Sequence, residues 1–286
     1  MRPEASGLPE QVRAACSISS LSPVSGGSIA HAYRAQTPRG PVFVKTLADP
    51  APDFFRREAA GLRAMNVPQG PLVPEVIYEH PRALVMRWIE PGQGAVPGQE
   101  EEFGRRLAAL HAHTGPRFGS LDDSALGYLG SVPIDLTPET TWAASYLQRR
   151  VYPLARQAHA RALVGSAELT RIERLADDPQ ICGPPEPPTV VHGDLWPGNR
   201  VVDLNGRGWL VDPSAQYGHR ELDLAVMRMF GGFSERVFAA YREAFPLAPG
   251  AERRVPLHQL AMLLVHVLLF GRGYVPKVAQ ALRALA

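Results

Sequence analysis

His192-Gly193-Asp194-Leu195-Trp196-Pro197-Gly198-Asn199 is a short irregular run, preceded by the apolar strand-like stretch Thr189–Val191 and followed by a second one from Arg200. An irregular loop between two strands can aim two polar side chains into one cleft. Asp194 and Asn199 stand five residues apart in it. An aspartate so placed can accept a proton from a hydroxyl and orient it. The asparagine can offer its side-chain oxygen to a metal. Asp212 closes the next apolar run, Trp209-Leu210-Val211-Asp212. That is a place for a direct Mg²⁺ ligand, since Mg²⁺ usually takes one or two carboxylates together with phosphate oxygens and water. Any one of these three alone reads as a turn residue after a strand. As an ordered set they make Asp194 the candidate catalytic residue and Asn199 and Asp212 the candidate metal ligands, with His192 bracing the loop.

The five-residue spacing is that of the aspartate and asparagine in kinase catalytic loops. A kinase also needs a lysine for the phosphates and a glutamate to hold it, and both are found upstream. Only Lys45 and Lys277 among the 30 basic residues are lysines. Lys45 ends the β-branched run Pro41-Val42-Phe43-Val44-Lys45-Thr46. In the helical stretch Asp53–Met65, Phe55, Glu58, Leu62 and Met65 recur on one face. A carboxylate on an apolar stripe is costly unless paired, so Glu58 is expected to meet Lys45. Gly26-Gly27-Ser28 forms a turn whose backbone N–H groups can approach phosphates. The strand Leu84–Ile89 brings Met86, Arg87, Trp88 and Ile89 to a position suited to adenine. These residues, from Gly26 to Ile89, are the candidate nucleotide-binding set.

Outward from these motifs the chain divides. Three strand-like runs joined by two turns, one helix and two further strands occupy the first third. Ile89–Gly98 carries three glycines and two prolines and reads as a linker. The expected organisation is an α+β fold of two lobes: residues 1–88 as an ATP-binding lobe of antiparallel sheet with one main helix, and residues 89–286 as a larger helical lobe, hinged at about 87–92. Within the second lobe, 115–140 reads as loop-rich, Thr141–Arg161 and Ser166–Asp177 as helices, Asn205-Gly206 as a hairpin turn, and Leu222–Phe230, Ser234–Phe245, Val255–Phe270 and Pro276–Ala286 as helices. His111 and His113 read as packing or capping residues, and Asp223 as a bond to the catalytic-loop backbone. Tyr217, His219 and Glu221 read as support around the metal loop.

Composition sets limits. The chain has 286 residues, 45% hydrophobic and 20% charged, with a formal net charge of +2. This is a globular balance with no electrostatic case for a nucleic-acid or membrane partner. Met1–Glu10 has no apolar core of a secretory signal, and Leu260–Phe270 is too short to span a bilayer. Cys16 and Cys182 have no zinc spacing, and no histidines are spaced as metal ligands. A cytoplasmic monomer is expected.

The residues beyond Asp212 narrow the reading. His192–Asn199, followed by Asp212-Pro213-Ser214-Ala215-Gln216-Tyr217-Gly218-His219-Arg220-Glu221-Leu222-Asp223-Leu224-Ala225 and Met229–Phe233, resembles the fructosamine kinase (ketosamine-3-kinase) family. So do Gly26–Ile29, Val42–Lys45, Glu58-Ala59, Leu107–His111, Trp142 and Phe270-Gly271. The resemblance implies a protein-kinase-like fold and ATP–Mg²⁺-dependent phosphorylation of the sugar 3-hydroxyl of a ketosamine, free or protein-bound. The unstable product would release the amine, which makes the role deglycation repair. By the same resemblance Asp194 accepts the proton, Lys45 and the hinge bind ATP, and Asn199 and Asp212 bind Mg²⁺. Aminoglycoside phosphotransferases and choline kinases share the Asp194, Asn199 and Asp212 pattern, so a kinase of an amino alcohol or antibiotic is the alternative. A nucleotide-binding pseudokinase is the third reading, and the presence of all five polar residues speaks against it.

Overall fold

The computed structural model describes residues 7–24, 30–92, 96–122 and 124–285. The short helix α1 (Glu10–Ala15) leads into β1 (Ser20–Pro23), β2 (His31–Thr37) and β3 (Gly40–Thr46). After α2 (Phe54–Met65) come β4 (Val76–His80) and β5 (Ala83–Arg87). The five strands form one antiparallel sheet in the order β1-β2-β3-β5-β4. Strand β3 lies inside this sheet because both its faces carry apolar residues: Val42 and Val44 face a small core with Tyr33, Ala35 and Val85, and Phe43 packs with α2 and β5 on the other face. Lys45, on that second face, is thereby held between β2 and β5, opposite Ala32 and Leu84.

The helical part begins with α3 (Gln99–His111). The segment expected to be loop-rich instead folds as a hairpin, β6 (Leu126–Leu129) and β7 (Val132–Asp135). Its glycines, serine and proline suggest a loop, but alternate residues Leu129, Val132 and Ile134 are buried in the core. That alternation is the strand signal, and Gly130, at φ 59°, makes the two-residue turn. Residues Ala143–Val151 are π-wound and run directly into α4 (Tyr152–Ala160), within the span expected to be one helix. Then follow α5 (Ser166–Ala176), β8 (Thr189–Val191), β9 (Arg200–Val202), β10 (Gly208–Leu210) and β11 (Gln216–Gly218). Strand β11 pairs antiparallel with β8, a partnership not foreseen from sequence. The β9–β10 turn at Asn205-Gly206 forms as expected. The Asp203 carboxylate pins it, accepting the N–H groups of Asn205 and Arg207 and the Trp209 indole.

Helices α6 (Glu221–Met229), α7 (Glu235–Ala244), α8 (Ala251–Phe270) and α9 (Val275–Ala284) complete the chain. Helix α8 starts about a turn earlier than the expected Val255, and Arg254 anchors that turn to Glu221 and to Pro249 O. No helix among the described residues is long and apolar enough to cross a membrane. One core joins the sheet to the helices: Phe55, Leu62, Leu84 and Met86 pack with Phe103, Leu107, Leu195 and Tyr241. A second core, built on α8 and the π-wound segment, lies behind it. The sheet and the helices that follow it are therefore packed on one another through a shared core.

Candidate active site

The loop 192–199 leaves β8 and is fixed from beneath. Gly193 takes φ 80°, a left-handed conformation that glycine adopts without penalty. Asp223 on α6 accepts the N–H groups of His192 at 2.7 Å and Gly193 at 2.8 Å. His111, fully buried on α3, donates from Nε2 to the same carboxylate at 3.1 Å and accepts the Tyr241 hydroxyl at Nδ1 at 2.8 Å. Burial works against ionisation of Asp223, but these donors outweigh it and hold its pKa below the ordinary carboxylate value. His192 donates from Nε2 to Val211 O at 2.9 Å and accepts the Asp194 N–H at Nδ1. Burial lowers its pKa, which favours the neutral ring those two bonds require.

At the open side of this loop Asn199 donates from Nδ2 to Asp194 O at 2.9 Å, and more weakly to Asp194 Oδ2 at 3.3 Å. The amide nitrogen being so used, its oxygen is the atom left for a cation. Asp212 adopts φ 58°, a strained backbone for a non-glycine residue. Its carboxylate contacts Lys45 Nζ, which also donates to Glu58 Oε1 at 2.7 Å. The expected Lys45–Glu58 pair is present, and the contact with Asp212 was not foreseen. Burial pushes the Asp194 carboxyl up to about 7; the Asn199 hydrogen bond opposes this, and the Asp223 charge adds to it.

Lys45, Glu58, Met86, Arg87, Trp88, Ile89, Asp194, Asn199 and Asp212 all line one cleft of about 850 Å³. Gly26, Gly27 and Ser28 lie outside the described residues; Val24, Ala30 and Ala32 on either side of them line the cleft. The Arg87 N–H already donates to Glu75 O, so the hinge positions left for a ligand are Trp88 and Ile89. Sequence reasoning missed Phe54, Arg57, Tyr128 and Trp196, which also line it. It also missed the bonds that His111 makes. His113 caps its own helix at Ala109 O, as expected.

The donor set fits Mg²⁺. Around Lys45 and Asn199 stand the carboxylates of Glu58, Asp194 and Asp212. The Asn199 side-chain oxygen and the Asp212 carboxylate are oxygen donors of the kind a hard divalent cation takes.

Tyr217, His219 and Glu221 are not part of this cleft. His219, Glu221 and His258 are buried together, with ligand-type atoms within 4.8 Å of one another. A spacing search could not see this group, because His258 comes from α8. Both Glu221 oxygens are taken by Arg254, at 2.6 and 2.9 Å. His258 Nε2 lies 3.3 Å from Glu221 Oε2 but outside hydrogen-bond geometry. Cys16 and Cys182 are free thiols.

The fructosamine kinase family model matches residues 2–286. The chain belongs to the fructosamine kinase family. A probable ketoamine kinase from Thermus thermophilus is 38% identical over 262 residues, covering 92% of each chain. The chloroplastic protein-ribulosamine 3-kinase of Arabidopsis thaliana is 33% identical over 270 residues, 91% of this chain and 80% of that protein. The crystal structure of a fructosamine-3-kinase candidate from Thermobifida fusca superposes with a TM-score of 0.88 at 36% identity, over 96% of this chain and 97% of that one. The fold is the two-lobed, protein-kinase-like α+β fold expected from the sequence, and the chain is a phosphotransferase.

Proposed function

We propose that this chain transfers the γ-phosphoryl group of ATP to the 3-hydroxyl of a ketosamine sugar, with Asp194 as proton acceptor. One observation carries the reading: an under-partnered carboxylate, Asp194, faces the same cleft as the Lys45–Glu58 pair and the Asn199–Asp212 pair. Residues 1–88 form the nucleotide-binding lobe and 89–286 the catalytic lobe, hinged near 87–92. The adenine lies among Phe43, Met86 and Val211, its edge toward the backbone of Trp88 and Ile89. Lys45, steadied by Glu58, binds the α- and β-phosphates.

Asp194 holds the acceptor hydroxyl in line and takes its proton as the O–P bond forms and ADP leaves. The raised pKa makes it a stronger base than an exposed aspartate and leaves it substantially ionised near neutral pH. Asn199 through its side-chain oxygen and Asp212 through its carboxylate hold Mg²⁺, which supplies charge neutralisation on the phosphates. Asp223 and His111 keep the Asp194 loop from shifting. The ketosamine 3-phosphate then breaks down and frees the amine, so the role is deglycation by a cytoplasmic, monomeric enzyme.

The test is ADP release with ATP, Mg²⁺ and a panel of ribulosamines and fructosamines, free and protein-bound. Turnover on a ketosamine is expected. No turnover on any ketosamine, together with turnover on an amino alcohol or aminoglycoside, would overturn the assignment.

A further inference from the structure

Arg150 is buried to 1% exposure at the end of the π-wound segment, yet it has no ionic partner among the described residues. The nearby carboxylates of Asp135 and Glu139 pair with its neighbour Arg149. Arg150 Nη2 donates to Gln216 Oε1, and its Nε has no partner. The guanidinium lies 6.0 and 5.8 Å from the ring centroids of Trp142 and Tyr146. Burial draws its pKa down to about 10. A buried cation without an anion is a poor way to stabilise a core; an apolar side chain of similar volume would serve better. Segments of π-winding inside helices are found disproportionately at functional sites.

What Arg150 does is orient Gln216. A guanidinium has donors only, so Gln216 must turn its carbonyl oxygen toward it and its amide nitrogen away. That nitrogen then donates to Ser214 O at 3.3 Å. Ser214 follows Asp212 by two residues. Its carbonyl oxygen lies against the Gly193 Cα, where a side chain would collide with it. Gly193 directly precedes Asp194.

We propose that Arg150 is a positioning residue that, through Gln216, fixes the Ser214 carbonyl against Gly193 and so sets the separation of Asp212 and Asp194. The proposal rests on the roles assigned to those two aspartates.

Two variants test it. Arg150→Met removes the donor and the charge while filling the space. Gln216→Glu makes the bond to Arg150 charge-assisted but presents an acceptor to Ser214 O in place of a donor. Both are expected to remain folded, because the unpaired charge removed by Arg150→Met offsets the acceptor it leaves at Gln216, and the ion pair made by Gln216→Glu offsets its repulsion from Ser214 O. Their kcat should fall by about tenfold or more while the acceptor KM changes by less than about threefold, the signature of misalignment rather than lost binding. Hydrogen–deuterium exchange of the peptide spanning 210–218, measured without ligand, should rise in both. That readout needs no acceptor. A parent inactive on ketosamines would therefore count against the substrate assignment, whereas unchanged exchange would count against the positioning role. A folded variant with kcat within about twofold of the parent, or with unchanged exchange, overturns the proposal. If Arg150→Met does not fold, Gln216→Glu decides alone.

Discussion

Glu221 is buried and Asp194 half-buried at the cleft, and their environments drive them in opposite directions. Glu221 is bound at both oxygens by Arg254. Burial alone would raise its pKa, but the contacts with His258 and Arg254 reverse that and bring it to about 2. Asp194 has one weak side-chain donor, Asn199, and burial lifts it to about 7. The difference separates an internally satisfied ionic network from a group left incomplete for a reacting partner. Perturbed carboxylates mark functional sites only when nothing in the fold already consumes them.

The comparison can be broken at either end. The largest effect is expected from Asp194→Asn, which keeps shape and removes the base: kcat should fall by about 10²- to 10⁴-fold with ATP binding retained, measured by steady-state ADP release and equilibrium titration. Turnover within about tenfold of the parent would remove Asp194 from its role. Next comes Glu221→Gln. Leaving Arg254 without its carboxylate should lower unfolding free energy by about 3–5 kcal/mol in denaturant titration, with kcat of the folded fraction nearly unchanged.

Acid should reveal the same contrast. Glu221 and Asp203 both titrate at about 2 in the folded protein. Their contribution is full above the ordinary carboxylate range and is lost as pH falls toward about 2. His219, lowered to about 4 by burial first and by the His258 charge second, takes its proton earlier in the unfolded chain than in the folded one. It therefore costs stability as pH falls from its ordinary 6.5 to about 4. Asp194 acts oppositely over nearly the same window, because its folded pKa is raised. His192 and His266, both also lowered by burial, add to the His219 cost, so melting temperature should decline between pH 6.5 and 4 and drop more steeply below; a melting temperature that rises across that window would contradict these assignments. The smallest effect belongs to the exposed pair Arg242–Glu252, where Arg242→Ala should change stability by about 0–1 kcal/mol.

What the sequence disclosed follows from how far apart the cooperating residues lie. Asp194, Asn199 and Asp212 fall within one short segment, so their spacing could be read directly. Glu58 was legible because a carboxylate on the Phe55–Leu62–Met65 stripe needed a cation, and Lys45 was the lysine at hand. The hairpin at 126–135 was obscured by Gly127, Gly130 and Pro133, which mimic a loop until burial shows the alternation. His111 is the packing residue expected, but its bonds could not be foreseen because its partners, Asp223 and Tyr241, are 112 and 130 residues away. The bond from Arg150 to Gln216, 66 residues on, was hidden for the same reason. Local chemistry was readable; pairings made by tertiary packing were not.

The claim that Asp194 is held incomplete at a cost to the fold is tested most directly by the unfolding free energy of Asp194→Asn relative to the parent, followed from pH 4 to 9. An aspartate raised to about 7 is penalised when ionised, so the variant should be the more stable protein above pH 7, and its advantage should shrink as pH falls toward 4. A variant less stable than the parent at pH 8, or a difference that does not change with pH, would contradict the account.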